Sequence, residues 1–243
     1  MKTTSDAFLG GRLTLEQPAR GFRAGSDAVL LAAACPARPG DSVLDLGCGV
    51  GAAMYCLGAR VRGLRLTGVE RDRVAAELAR SNGAADVVEG DVLALPKALR
   101  GTYDHVICNP PYFAPGSGAA ASAPGRDAAM REGGRGELRC WMDVACRRAA
   151  PNGTVTFISR SERLMDLLVA MDGRLGAIAV RPVAARSGAE AGRVVVQGHK
   201  GRRGGLRLLQ ALVLHRGPAH AGDRDDHTDE AREILRDGLS LLM

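Results

Sequence analysis

The sequence predicts an α/β protein built on a mainly parallel sheet, and three observations lead there. Short β-rich apolar runs alternate with stretches of helical spacing through the middle of the chain, the pattern that strand–helix–strand crossovers require. A glycine-rich stretch, VLDLGCGVG at 43–51, stands at a strand-to-helix junction. Three successive strand-like runs finish on an acid and a fourth on Asn109, and ligands of open α/β sheets bind outside such carboxyl ends.

The elements follow in order. RLTLEQ at 12–17 alternates as a short strand, and Ser26 with Asp27 opens an alanine/leucine helix that stops before Pro36. Strands are expected at 42–46, 65–70, 86–89, 103–108 and 153–159, with helices near 50–60, 72–81, 137–149 and 161–171. Beyond 173 the helical spacing gives way to strand-like segments at 176–183, 193–198 and 206–214, joined by Gly/Arg-rich turns. The sheet is therefore expected to finish with an antiparallel edge. Residues 114–136, rich in Gly, Ala, Ser and Pro, are expected to be a mobile loop. The tail is charged and then apolar at helical spacing, so a terminal helix should dock on the body. With 243 residues, one structural domain is expected, residues 1–40 forming an extension packed on a core of 41–243.

Composition narrows the class. No run of about 18 apolar residues appears and the opening MKTTSDAFLGG is polar, so a soluble, cytoplasmic protein without a membrane partner is expected. The six cysteines show neither a CxxC pair nor a His spacing suited to zinc, and no metal is expected. The net charge of +6 is concentrated in residues 181–207, where Arg181, Arg186, Arg193, Lys200, Arg202, Arg203 and Arg207 face Glu190 alone. Such an excess is either a footprint for a polyanion such as RNA or a solvated face.

The motifs carry chemistry. Gly47, Gly49 and Gly51 follow a strand, where glycine lets backbone approach a ligand and a helix start offers unpaired N–H groups. Their spacing is G-x-G-x-G rather than the dinucleotide pattern, and Asp45 precedes them. A carboxylate there repels a pyrophosphate but suits an ammonium group. Glu70 ends the next strand, where an acid commonly accepts from ribose hydroxyls, and Asp91 follows the third. The fourth strand runs into ICNPPYF at 107–113. Prolines end a strand rigidly, and the residue before a proline is held extended, so the Asn109 side chain should project from the strand end.

DLGCGVG, Glu70, Asp91 and NPPY together resemble a class I S-adenosylmethionine-dependent methyltransferase of the amino-group-modifying kind. FLGGRL at 8–13, RAGSDAVLLAAA at 23–34 and the ending SLLM are similar to the tRNA1(Val) adenine-N6 methyltransferase group of small-domain methyltransferases. That resemblance implies a Rossmann-like seven-stranded sheet with helices on both faces, S-adenosyl-L-methionine as cofactor, and RNA, most of all tRNA, as partner of a monomer or homodimer. It implies that Gly47, Gly49 and Gly51 shape the turn under the methionine part and that Asp45 holds that loop or meets the amino group. Glu70 would bind the ribose and Asp91 the adenine, with Asp27 beside the pocket. Asn109 and Pro110 would accept from the reacting amine, Tyr112 would stack on the base, and Pro111 and Phe113 would complete the substrate wall. Arg202 and Arg203 are the expected phosphate contacts. NPPY is shared with release-factor glutamine methyltransferases and, in related forms, with rRNA guanine-N2 methyltransferases. Two further classes are an NADP-dependent oxidoreductase, disfavoured by the glycine spacing, and a non-catalytic RNA-binding module, which has no need of three strand-end acids.

Overall fold

A computed structural model describes residues 2–111, 135–219 and 226–243. The expected loop at 114–136 lies outside the described residues up to 134, as do Tyr112 and Phe113, while residues 135 and 136 open a helix instead of ending a loop.

The five central strands stand where the sequence puts them: β3 (Ser42–Leu46), β4 (Arg65–Glu70), β5 (Asp86–Glu89), β6 (Tyr103–Cys108) and β7 (Ala149–Arg160). They pair in parallel in the order β5-β4-β3-β6-β7. The sheet continues through β9 (Ala191–Lys200) to β8 (Leu175–Arg186), and both of these pairings are antiparallel. β9 is therefore the one reversed strand among the described strands of this sheet. The segment expected as a strand at 206–214 is split into β10 (Arg207–Leu208) and β11 (Leu212–His215), which both run parallel to β8 along its outer side. They bring the described sheet to nine strands where seven were expected.

Helices cover both faces. α1 (Ser26–Ala34) and α2 (Ala52–Arg60) pack over one core that includes Val43, Ile107, Ile158 and Val195. α4 (Arg135–Arg148) and α5 (Leu164–Met171) pack over the other, with Leu44, Leu46, Val69, Val106 and Phe157. α3 (Arg73–Asn82) connects β4 to β5, and its Ala79 joins the α1 core. Because successive strand residues point to opposite faces, Asp45, Glu70 and Asn109 all project toward the α1 and α2 side.

The N-terminal extension is a hairpin and a helix. β2 (Leu13–Pro18) pairs with β1 (Thr3–Phe8), a strand too polar for its alternation to stand out. The turn between them uses left-handed backbone at Leu9, Gly10 and Gly11. Asn82, at the end of α3, fastens this hairpin to the core: its side chain accepts from Glu16 N–H at 2.8 Å and donates to the carbonyls of Glu16 at 3.0 Å and Val50 at 3.1 Å. The terminal helix, α6 (Asp229–Leu235), is capped by Thr228 and is short. The residues after it are not helical, yet they dock as expected, with Leu241 buried and its N–H bonded to Ala33 O at 2.9 Å.

Candidate cofactor cleft and reaction centre

A cleft of about 450 Å³ opens at the carboxyl ends of β3, β4 and β6. Asp45, Gly47, Cys48, Gly49 and Val50 form its floor, Glu70, Asp72, Val74 and Ala75 one wall, and Ala28 and Asn109 the opposite side. Gln17, Pro18, Arg20, Gly21, Phe22 and Ala24 bring the hairpin and the following loop against it. Buried Gln17 shapes that loop, accepting from Ala24 N–H at 2.8 Å and donating to Ala24 O at 3.2 Å and Asp6 Oδ2 at 2.9 Å.

Asp45 is only 2% exposed, and its Oδ2 is buried without a hydrogen-bond partner. Burial pushes its carboxyl up to about 7; the Met54 backbone N–H works against this and the nearby Glu70 with it. An orphaned buried carboxylate oxygen on the floor of a cleft is costly unless a ligand donor meets it. A cationic ammonium group fits that requirement. Glu70 is arranged differently: Oε2 accepts from Gly49 N–H at 2.9 Å and Oε1 from Asp72 N–H at 2.8 Å. Each oxygen keeps a second acceptor position, so the two can receive a pair of neighbouring hydroxyls.

The glycines divide the work. Gly47 has φ +68°, and a side chain there would come within 2.7 Å of the Trp141 ring, so α4 packs directly on the turn. Gly49 has φ +55° and nothing within 4 Å of where a Cβ would stand, which leaves the cleft open at that point. Gly51 is off the cleft wall, and its missing side chain leaves room for Tyr55.

Asn109 is half-buried at the end of β6, followed by buried Pro110 and exposed Pro111. Gly51, Asp91, Asp27, Pro110, Pro111, Arg202 and Arg203 are expected site residues that do not line the cleft. Asp91 caps the turn after β5 by accepting from Leu93 N–H at 2.8 Å, and Gly90 N–H bonds Glu70 O, which keeps the two acids at one edge of the sheet. Asp27 is paired with Arg193 Nε at 3.0 Å. Helical geometry explains this, because successive residues diverge by about 100°: Ala28 faces the cleft, so Asp27 turns toward β9. Arg202 and Arg203 follow the far end of the reversed β9. The register sets His199 opposite Thr154 and Arg193 opposite Arg160, which places Arg202 and Arg203 about 20 Å or more from the carboxyl ends. Elsewhere in the basic segment, Arg181 pairs with Glu230, Arg186 with Asp226, and Lys200 donates to the carbonyls of Cys146 and Ala149.

The sequence reasoning missed Asp72, Gln17 and Phe22. Phe22 is 70% exposed on the cleft rim. It is one of only eight aromatics, and that scarcity was the available signal. Among the described residues no His/Cys/Asp/Glu group could hold a metal ion, and no helix is long and apolar enough to cross a membrane.

The chain is similar to known proteins over most of its length. The family model described as methyltransferase small domain matches residues 22–126. A tRNA1(Val) (adenine(37)-N6)-methyltransferase of Aeromonas hydrophila is 32% identical over 84% of this chain and 86% of its own. One of the same name from Dickeya chrysanthemi is 28% identical over 91% and 89%. Among solved structures, a predicted O-methyltransferase from Agrobacterium tumefaciens superposes with a TM-score of 0.72 at 26% identity, over 89% of this chain and 99% of that one. The Thermus thermophilus 16S rRNA N2 G1207 methyltransferase, solved with AdoMet and guanosine, shares the fold at a TM-score of 0.55 and 20% identity, over 82% of this chain and 50% of its own.

Proposed function

We propose that this chain, which belongs to the small-domain family of S-adenosylmethionine-dependent methyltransferases, methylates the exocyclic N6 amine of adenine in RNA, with tRNA as the substrate. The fold is the Rossmann-like class I methyltransferase fold and the cofactor is S-adenosyl-L-methionine. Family membership removes the oxidoreductase and the non-catalytic binding module from consideration. The adenine and tRNA assignments draw on relatives known as tRNA1(Val) (adenine(37)-N6)-methyltransferases, with which similarity spans most of both chains.

The observation that carries the reading is the alternation that turns Asp45, Glu70 and Asn109 to one face at the carboxyl ends of adjoining strands. Bound cofactor supplies an electrophilic methyl group on a sulfonium. Asp45 would meet the ammonium of its methionine part, Glu70 its ribose hydroxyls, and Asp91, further along the edge, its adenine amine. Gly49 leaves room for the ligand to pass close to the backbone.

Asn109 and Pro110 act on the substrate. The lone pair of an exocyclic aromatic amine is delocalised into the ring, so the nitrogen is a weak nucleophile while planar. Asn109 Oδ1 and the Pro110 carbonyl each accept one N–H, which favours the pyramidal nitrogen and holds its lone pair in line with the methyl. The nitrogen would gain the methyl carbon as the methyl–sulfur bond breaks, its electron pair leaving with a neutral thioether. The methylated nitrogen is acidic and its proton passes to water, so no strong base is needed beforehand. Tyr112, Pro111 and Phe113 are the proposed wall for the base. Mass spectrometry of nucleosides from tRNA and rRNA incubated with the enzyme and labelled cofactor tests this reading. N6-methyladenosine in tRNA is expected, and labelled N2-methylguanosine, or no labelled nucleoside at all, would overturn the adenine assignment.

A further inference from the structure

The loop between β2 and α1 is tied down at several points. Gln17, buried near the end of β2, closes its neck by accepting from Ala24 N–H at 2.8 Å and donating to Ala24 O at 3.2 Å. Arg23 donates to both carboxylate oxygens of Asp6 on β1 at 2.6 Å, and Ala19 N–H donates to Lys2 O at 3.0 Å. Between these ties the chain turns through Gly21 at φ +101°, a left-handed conformation that glycine adopts without strain. Phe22 follows the turn, and its side chain is left 70% exposed.

A single exposed phenylalanine is ordinary on an open surface, but this one lines the same cleft as Asn109. The cleft changes character with depth. Asp45 and Cys48 on its floor are buried, whereas Arg20, Phe22 and Val74 at its rim are exposed. The acidic floor, with Glu70 on the adjoining wall, suits the cofactor's ammonium and ribose. The rim is apolar and basic, and neither property serves those groups. A flat base on a phosphate backbone matches both, because bases of any sequence stack on an aromatic side chain and guanidinium groups attract phosphates. A protein amide offers neither a broad π face nor a negative charge.

We propose that Phe22 stacks on the target base as that base is presented to Asn109. The base is thereby gripped from the N-terminal hairpin as well as from the strand end that carries Asn109 and Pro110. The bonds of Gln17 and Arg23 fix the loop before the RNA arrives, which reduces the ordering lost on binding. This inference rests on RNA being the substrate, and the test separates the two.

The affinity of a fluorescently labelled tRNA anticodon stem-loop is measured by anisotropy with S-adenosylhomocysteine saturating, for wild type and Phe22→Ala. The stem-loop carries either adenosine or an abasic site at the nucleotide that receives the methyl group. Circular dichroism checks folding, and calorimetry measures cofactor affinity, which should not change. On the intact stem-loop Phe22→Ala should bind about 5- to 150-fold more weakly, the range for loss of one base–aromatic stack. On the abasic stem-loop it should bind like wild type, because the two changes remove the same contact and their effects do not add. Phe22→Trp should restore affinity, and Phe22→Leu, apolar but without a ring face, should not. No loss for Phe22→Ala, an equal loss on both stem-loops, or full affinity in Phe22→Leu would overturn the stack while leaving the RNA reading intact. A loss of cofactor affinity in the folded Phe22→Ala protein would overturn it as well, by making the ring part of the cofactor wall. Failure of the wild-type protein to bind either the stem-loop or total tRNA would overturn both.

Discussion

A buried carboxyl group with one oxygen left without a partner is costly to ionise, and Asp45 is in that position. Its folded value near 7 lies above the usual carboxylate value. The stability it contributes is therefore fully present below about pH 4 and is lost as pH rises through about 7. Without cofactor, Asp45→Asn should become more stable relative to wild type as pH rises from 5 to 8, as thermal denaturation will register. With cofactor the sign reverses, because an ammonium ligand favours the ionised acid. Wild-type affinity should rise with pH through about 7, with proton release near pH 6, whereas Asp45→Asn should bind about 1.5–3 kcal/mol more weakly at pH 8 and lose that pH dependence. Calorimetry in buffers of different ionisation enthalpy separates these outcomes. The acids at strand ends were legible because position along a strand and facing follow from alternation alone. The Asp27–Arg193 pair was not, since its partners are 166 residues apart and meet only through the order of the strands.

Contacts between elements decide what the glycine turn tolerates. Gly47→Ala would add the strain of left-handed backbone, about 1–2 kcal/mol, to an overlap with the Trp141 ring of α4 costing about 1–3 kcal/mol more. Gly49→Ala bears only the strain, but its methyl group would enter the cleft. Urea denaturation should show the larger loss of stability for Gly47→Ala, while calorimetry should find the larger loss of cofactor affinity per unit of stability lost for Gly49→Ala. The hairpin makes a similar case. Asn82→Ala deletes the three bonds that tie α3 to β2 and to the glycine loop, and should destabilise the protein by about 1–3 kcal/mol. Because β2 supplies Gln17 and Pro18 to the cleft, cofactor binding should weaken as well; unchanged affinity would show that the hairpin is only a brace. The central strands and helices were legible from apolar periodicity and turn residues. The hairpin was only half legible, because β1 is a polar strand of a two-stranded ribbon and buries little of its own.

At the scale of the whole molecule, the polarity of the sheet assigns the charges. The sequence shows that residues 181–207 are basic but not which way their strand runs. The reversal of β9 leaves Arg193 with the reaction centre and carries Arg202 and Arg203 to the amino ends. Chain reversal is a property of packing order, invisible to local composition. The same order places Asn109 at the side of the cofactor cleft, and the proposed mechanism depends on that position. The most direct test is single-turnover methyl transfer from labelled S-adenosylmethionine to tRNA by wild type and Asn109→Ala, with cofactor affinity measured alongside. Loss of one preorganised acceptor of the reacting amine should slow transfer by about 100- to 1,000-fold, with the cofactor still bound and any residual product still N6-methyladenosine. Transfer at near wild-type rate by a folded Asn109→Ala protein would contradict the mechanism.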